Sequence, residues 1–201
     1  MSVIYKLLIV IISGIGLFLN FKLLGIDYGL LYFTLLSNIF CFIFYFVTLF
    51  LKLFNKLKKN NIYYIFKSMM VMSMSITMIL YYIMYINGNV GVYEGHFLVS
   101  SFLHLISPLM VIFDYIIFGK KGVTNKKYPF AWSMSLIIYC LLVIIYCMLG
   151  GTFGESKYPY DFMNIEKYGF MRVFLVNVFI YILFIVYGFF VQYFDHRISK
   201  K

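Results

Sequence analysis

Six long apolar runs, each separated from the next by a short polar or glycine-containing stretch, set the pattern of this 201-residue chain. The runs fall at about 7–24, 30–54, 64–86, 97–118, 130–149 and 171–194, and they are continuous rather than alternating as barrel strands are. A helix crosses the hydrocarbon core in about 20 residues. The pattern therefore predicts an all-α integral membrane protein, a single six-helix transmembrane domain over residues 1–201.

The first run follows Lys6, lacks a small-x-small cleavage site and continues through Gly14, Gly16 and Asn20, so it reads as a helix and not as a signal peptide. The second is longer than the hydrocarbon core requires, which implies tilt or an extension into the interface. In the third, Ser73 and Thr77 form a small-xxx-small pair suited to close helix contact. Pro129 is well placed to start the fifth. The stretch Gly150 to Gly169, GGTFGESKYPYDFMNIEKYG, has too much Gly and Pro for one continuous helix and reads as a cap resting at the interface.

Composition excludes a soluble globule. The chain is 64% hydrophobic and 12% charged, with mean hydropathy +0.93, and such a chain would expose far too much apolar surface in water. Its net charge of +10 sits in short loops between apolar runs, so topology explains it better than nucleic acid does. One set of alternate loops and both termini holds 13 of the 17 Lys and Arg, whereas the other side holds five of the seven acids, Asp27, Glu94, Glu155, Asp161 and Glu166. The positive-inside rule then puts both termini in the cytoplasm. Cys41, Cys140 and Cys147 lie inside apolar runs without metal-ligand spacing, and the methionines of the third run read as adaptable packing, so no metal or cofactor is expected.

The fourth run carries the chemistry. Ser100, His104, Ser107 and Asp114 recur at helical spacing on one face, and ionisable groups at membrane depth are costly and usually functional. In the second run Thr34, Ser37 and Asn38 gather on one face as well. Counted from the outer ends of their helices, Thr34 lies about 6 Å deep and His104 about 10 Å deep. A threonine hydroxyl beside a neutral imidazole is an activated nucleophile, the imidazole taking the proton as oxygen attacks an ester carbonyl. Asn38 is a candidate oxyanion donor, or only a helix contact. Pro108 has no N–H and withholds from the His104 carbonyl its usual helix partner. Asp114 lies too far along the helix to orient His104, and its depth matches that of Lys67, which points to an interfacial ion pair. His96 reads as solvated at the outer interface, and His196 as part of a basic tail.

Three stretches, YFTLLSN at Tyr32 to Asn38, HLISPLMVIFDYIIF at His104 to Phe118 and YPYDFMNIEKYG at Tyr158 to Gly169, together resemble the bacterial six-helix membrane proteins of the Pr-six-Pr family. These are distant relatives of the androgen-induced membrane hydrolases of animals. The resemblance implies a multi-pass protein of the bacterial cytoplasmic membrane. In those animal relatives a threonine and a histidine hydrolyse fatty acid esters of hydroxy fatty acids, and the match by motif implies Thr34 as nucleophile and His104 as base. The chain departs from the family pattern at Tyr115, where tryptophan is frequent, and at Asn164, where aspartate is usual.

Three functions fit these residues. One is an intramembrane lipid-ester hydrolase using Thr34 and His104, with Asn38, Ser37, Ser100, Ser107 and Asp114 in supporting places. The second is a small transporter or proton-coupled carrier in which His104 and Asp114 titrate. The third is a noncatalytic scaffold whose polar faces join helices. Membrane lipids are the expected partners in each.

Overall fold

The computed structural model describes residues 2–25, 31–86, 96–153 and 156–199. Leu30, where the second helix was expected to begin, lies outside them, as do Asp27, Glu94, Glu155, Lys200 and Lys201 of the charge pattern. Among the described residues the structure is all-α, and six helices are long and apolar enough to cross a membrane. They are α1 (Ser2–Leu24), α2 (Phe33–Leu53), α3 (Asn61–Ile86), α4 (Phe97–Phe118), α5 (Tyr128–Met148) and α6 (Phe170–Ser199). By helix length and hydropathy this is a multi-pass integral membrane protein.

Two compact units divide the chain, Met1–Lys120 and Lys121–Lys201. In the first, α1 packs on α2, α2 on α3, and α4 on α1 and α3. Leu17, Leu35, Val99 and Leu103 form a buried cluster shared by α1, α2 and α4. Gly16 permits the close approach of α1 to α4, since a Cβ there would stand 3.0 Å from the Phe102 Cβ and 3.2 Å from a Leu103 methyl. Side chains such as Phe18, Phe46 and Ile117 remain largely exposed, as lipid-facing residues do.

The first helix begins at Ser2, more than a turn before the expected start at Leu7. Lys6 does not interrupt it, because that ammonium is buried and neutralised by Asp114. The fourth helix is not uniform. Two π turns, Phe102–Ile106 and Asp114–Phe118, flank the regular segment Ser107–Phe113.

In the second unit α5 packs on α6. Gly188 leaves room for Pro129, whose Cβ would lie 3.0 Å from a Cβ at that position, and Trp132 is fully buried beside it. Pro129 occupies the first turn of α5, where a missing N–H costs nothing. The residues read as a basic tail are instead helical: α6 runs to Ser199. Asp195 accepts hydrogen bonds from the Gly122 amide at 2.9 Å and the Thr124 hydroxyl at 3.3 Å, while His196 Nε2 donates to the Thr124 carbonyl at 2.6 Å. These contacts hold the last turn in helical form.

The stretch between α5 and α6 is broken as expected, with a 3-10 turn at Asp161–Met163 and one α-turn at Ile165–Tyr168. Asp161 accepts from the Tyr168 hydroxyl at 2.5 Å and from Lys167 at 2.9 Å, and Lys157 pairs with Glu166 at 2.6 Å. The Tyr168 and Lys167 donors hold the Asp161 carboxyl below its usual range, and the Glu166 and Asp161 carboxylates raise Lys157 and Lys167 respectively.

Candidate functional site

Pro108 disturbs the backbone around His104. In a regular helix the carbonyl of His104 would face the Pro108 nitrogen, which has no proton to give. The chain widens into the π turn instead, and the Ser107 amide donates back to Phe102 across five residues. Counted on in that register, the carbonyl opposite proline is that of Leu103. The vacancy is filled from outside the helix. Asn38 on α2 donates its side-chain amide to Leu103 O at 3.0 Å, and to Thr34 O at 2.8 Å.

A single amide thus links the backbone of Thr34 to the residue preceding His104. Thr34 is half-buried in the first turn of α2, a turn closer to the helix end than its expected depth, because α2 begins at Phe33. Its hydroxyl makes no hydrogen bond among the described residues, to His104 or to any other group. Ser37 donates to Thr34 O at 2.9 Å and shares a 2.8 Å hydrogen bond with Thr77 on α3.

His104 is buried, against Ser100 and Tyr81. Its Nδ1 lies 3.0 Å from the Ser100 carbonyl. A carbonyl can only accept, so Nδ1 carries the proton and Nε2 carries the lone pair in the neutral ring. The Tyr81 ring stacks on the imidazole with centroids 3.8 Å apart and planes 21° apart. Ser100 Oγ also donates to the Tyr81 hydroxyl, so Ser100 and Tyr81 together frame the ring. Helix side chains lean toward the N-terminus, which carries the imidazole from the level of its own Cα toward that of Ser100. This is the direction in which Thr34 lies from Asn38 on α2.

Asp114 forms a separate centre. Its carboxylate is fully buried, with Oδ1 2.5 Å from Lys6 Nζ and Oδ2 2.8 Å from Lys67 Nζ, and it accepts from the Tyr45 hydroxyl at 2.9 Å. The ion pair with Lys67 is present as expected, and Lys6 and Tyr45 join it in enclosing the carboxylate. Ser107 is buried with no partner for its hydroxyl among the described residues.

Tyr81, Tyr45 and Lys6 were not anticipated in these roles. Faint signals exist for two of them. Tyr81 falls four residues after Thr77, and Tyr45 continues the Thr34, Asn38, Cys41 stripe at helical spacing.

The helices and their buried polar contacts define the class: a polytopic all-α membrane protein with a polar seam inside its first unit. No family model matches the chain, and no curated protein or solved structure matches it either.

Proposed function

We propose that the chain is an intramembrane hydrolase of lipid esters, with Thr34 as nucleophile and His104 as base. The observation that carries the reading is the Asn38 amide bridging Thr34 O and Leu103 O, which links the backbone of Thr34 to the residue before His104. The tautomer of His104 agrees with it, because donation from Nδ1 leaves Nε2 able to take a proton. The resemblance to Pr-six-Pr proteins and their animal relatives points to the same pair.

In this reaction Thr34 Oγ attacks the ester carbonyl carbon while its proton passes to His104 Nε2. The tetrahedral oxyanion collapses, the C–O bond to the alcohol breaks, and the imidazolium returns the proton to the leaving oxygen. Water then adds to the acyl-threonine, again losing a proton to Nε2, and the acid departs as Thr34 recovers its hydroxyl. Asn38 commits its amide to two carbonyls in this arrangement, so its part is to position Thr34 and the π turn.

The test is turnover of long-chain fatty acid esters of hydroxy fatty acids by purified protein. Thr34→Ala and His104→Ala are each expected to lower the rate by about 10²- to 10⁴-fold, with Thr34→Ser retaining part of it. Undiminished turnover in Thr34→Ala or His104→Ala overturns the assignment.

A further inference from the structure

At the end of the first unit that the charge pattern assigns to the cytoplasm lies a cavity of about 50 Å³. Five lysines line it: Lys6, Lys52, Lys59, Lys67 and Lys120. They come from α1, α2, the stretch before α3, α3 itself and the stretch just after α4, so folding gathers positive charge that is dispersed in the sequence. Five ammonium charges against the single carboxylate of Asp114 leave a formal +4, and Asp114 is already bound by Lys6 and Lys67. Lys52, Lys59 and Lys120 form no ion pair among the described residues.

Like charges gathered around one concavity repel, and the arrangement favours a counter-anion within it. At about 10–15 Å³ per water, the cavity has room for a few waters, or for one tetrahedral oxyanion. Thr48 and Tyr63 add hydroxyl groups to the lining. Leu49, Leu57 and Phe118 give it an apolar wall, against which acyl chains can pack. Basic pockets between transmembrane helices on this side suit phosphate headgroups.

We infer that this cavity binds a phosphate oxyanion, presented by an anionic phospholipid of the cytoplasmic leaflet. The site is independent of Thr34 and His104, so the hydrolase reading and this one stand or fall separately. Lys6 and Lys67 form its floor, with Asp114 fixing their positions, while Lys52, Lys59 and Lys120 close on the phosphate from the exposed side.

The experiment titrates phosphatidylglycerol into protein held in zwitterionic nanodiscs and reads the thermal midpoint. Wild-type protein is expected to gain a saturable increase that phosphatidylcholine does not give. Each lysine near the surface contributes about fivefold in affinity, so Lys52→Gln, Lys59→Gln and Lys120→Gln combined are expected to weaken it roughly a hundredfold. These side chains are exposed, and surface substitutions of this kind change stability little. Lys56→Gln with Lys58→Gln is the control, because those neighbours do not line the cavity. Wild-type affinity in the triple variant, or an equal loss in the control pair, overturns the site in favour of a diffuse basic surface. A parallel titration uses inorganic phosphate without anionic lipid. A full shift there that vanishes in the triple variant retains the oxyanion site and overturns the lipid as its source.

Discussion

Asn38 on α2 donates to the carbonyl of Leu103 on α4 at 3.0 Å, and that carbonyl is the one the π turn leaves facing Pro108. A proline that removes a donor from one helix is thus answered by a side chain of another. Asn38→Leu deprives Leu103 O of its replacement partner in a buried place. Loss of a buried partner costs about 1–3 kcal/mol, so the thermal midpoint should fall and turnover with it. Ser107→Ala is the contrast, since it deletes a buried hydroxyl without a partner, and its midpoint should stay level or rise.

Tyr81 separates stacking from hydrogen bonding. Tyr81→Phe keeps the ring over His104 and deletes only the group that Ser100 contacts, whereas Tyr81→Leu removes both. An aromatic stack contributes about 0.5–1.5 kcal/mol beyond its buried area. The leucine variant is therefore expected to be the less stable of the two by about that amount, and to show a larger change in the NMR shifts of the His104 ring. Equal behaviour of the two variants would assign the effect to the hydroxyl alone.

The enclosed centre around Asp114 allows a charge test. Asp114→Ala leaves two ammonium groups buried without their partner, and breaking a buried ion pair costs about 3–5 kcal/mol. Lys67→Met is milder, because Lys6 still meets the carboxylate. Replacing all three together, with Asp114→Leu, Lys6→Met and Lys67→Met, removes the uncompensated charge and should restore most of the lost stability. Thermal denaturation of the four proteins in one detergent measures the series, and a triple variant as unstable as Asp114→Ala would refute the account.

Much of the architecture is legible in the sequence because the membrane acts as a solvent with one strong demand. It requires unbroken apolar runs of sufficient length, and such runs appear in the chain directly. What spacing does not report is which polar groups meet across helices. Lys6 reads as a charge that delays α1 until its partner, more than a hundred positions away, is known to enclose it. The same holds for Tyr81, whose role depends on where α3 lies beside His104. Pro108 signals a local disturbance, but whether the helix kinks or widens is decided by packing, with Gly16 letting α1 press against the widened turn.

That approach predicts a specific intolerance. Gly16→Ala places a Cβ 3.0 Å from the Phe102 Cβ and 3.2 Å from Leu103, both on the π turn that carries His104. Overpacking of this kind costs about 1–3 kcal/mol. Gly14→Ala meets only the edge of the Phe42 ring at 3.2 Å, which can rotate, so it should be milder. The ratio of the two midpoint shifts is the measurement, and a larger effect at Gly14 would refute the proposed packing.

The stretch between α5 and α6 supplies a pH dependence. The carboxyl of Asp161 is held below its usual range by donation from Tyr168 and Lys167, so the folded turn prefers the ionised form. Its contribution is complete above the unfolded value of about 4 and is lost as pH falls through the lowered folded one. Lys157 and Lys167 are raised, so their contributions are complete below the unfolded value of about 10.4 and are lost as pH rises through the folded values. Amide hydrogen exchange over residues 161–168, corrected for intrinsic rates, should therefore show a plateau of protection between these limits. Asp161→Asn removes the acid limb and lowers the plateau. A variant whose protection still falls with acid as in the parent would place the titrating group elsewhere.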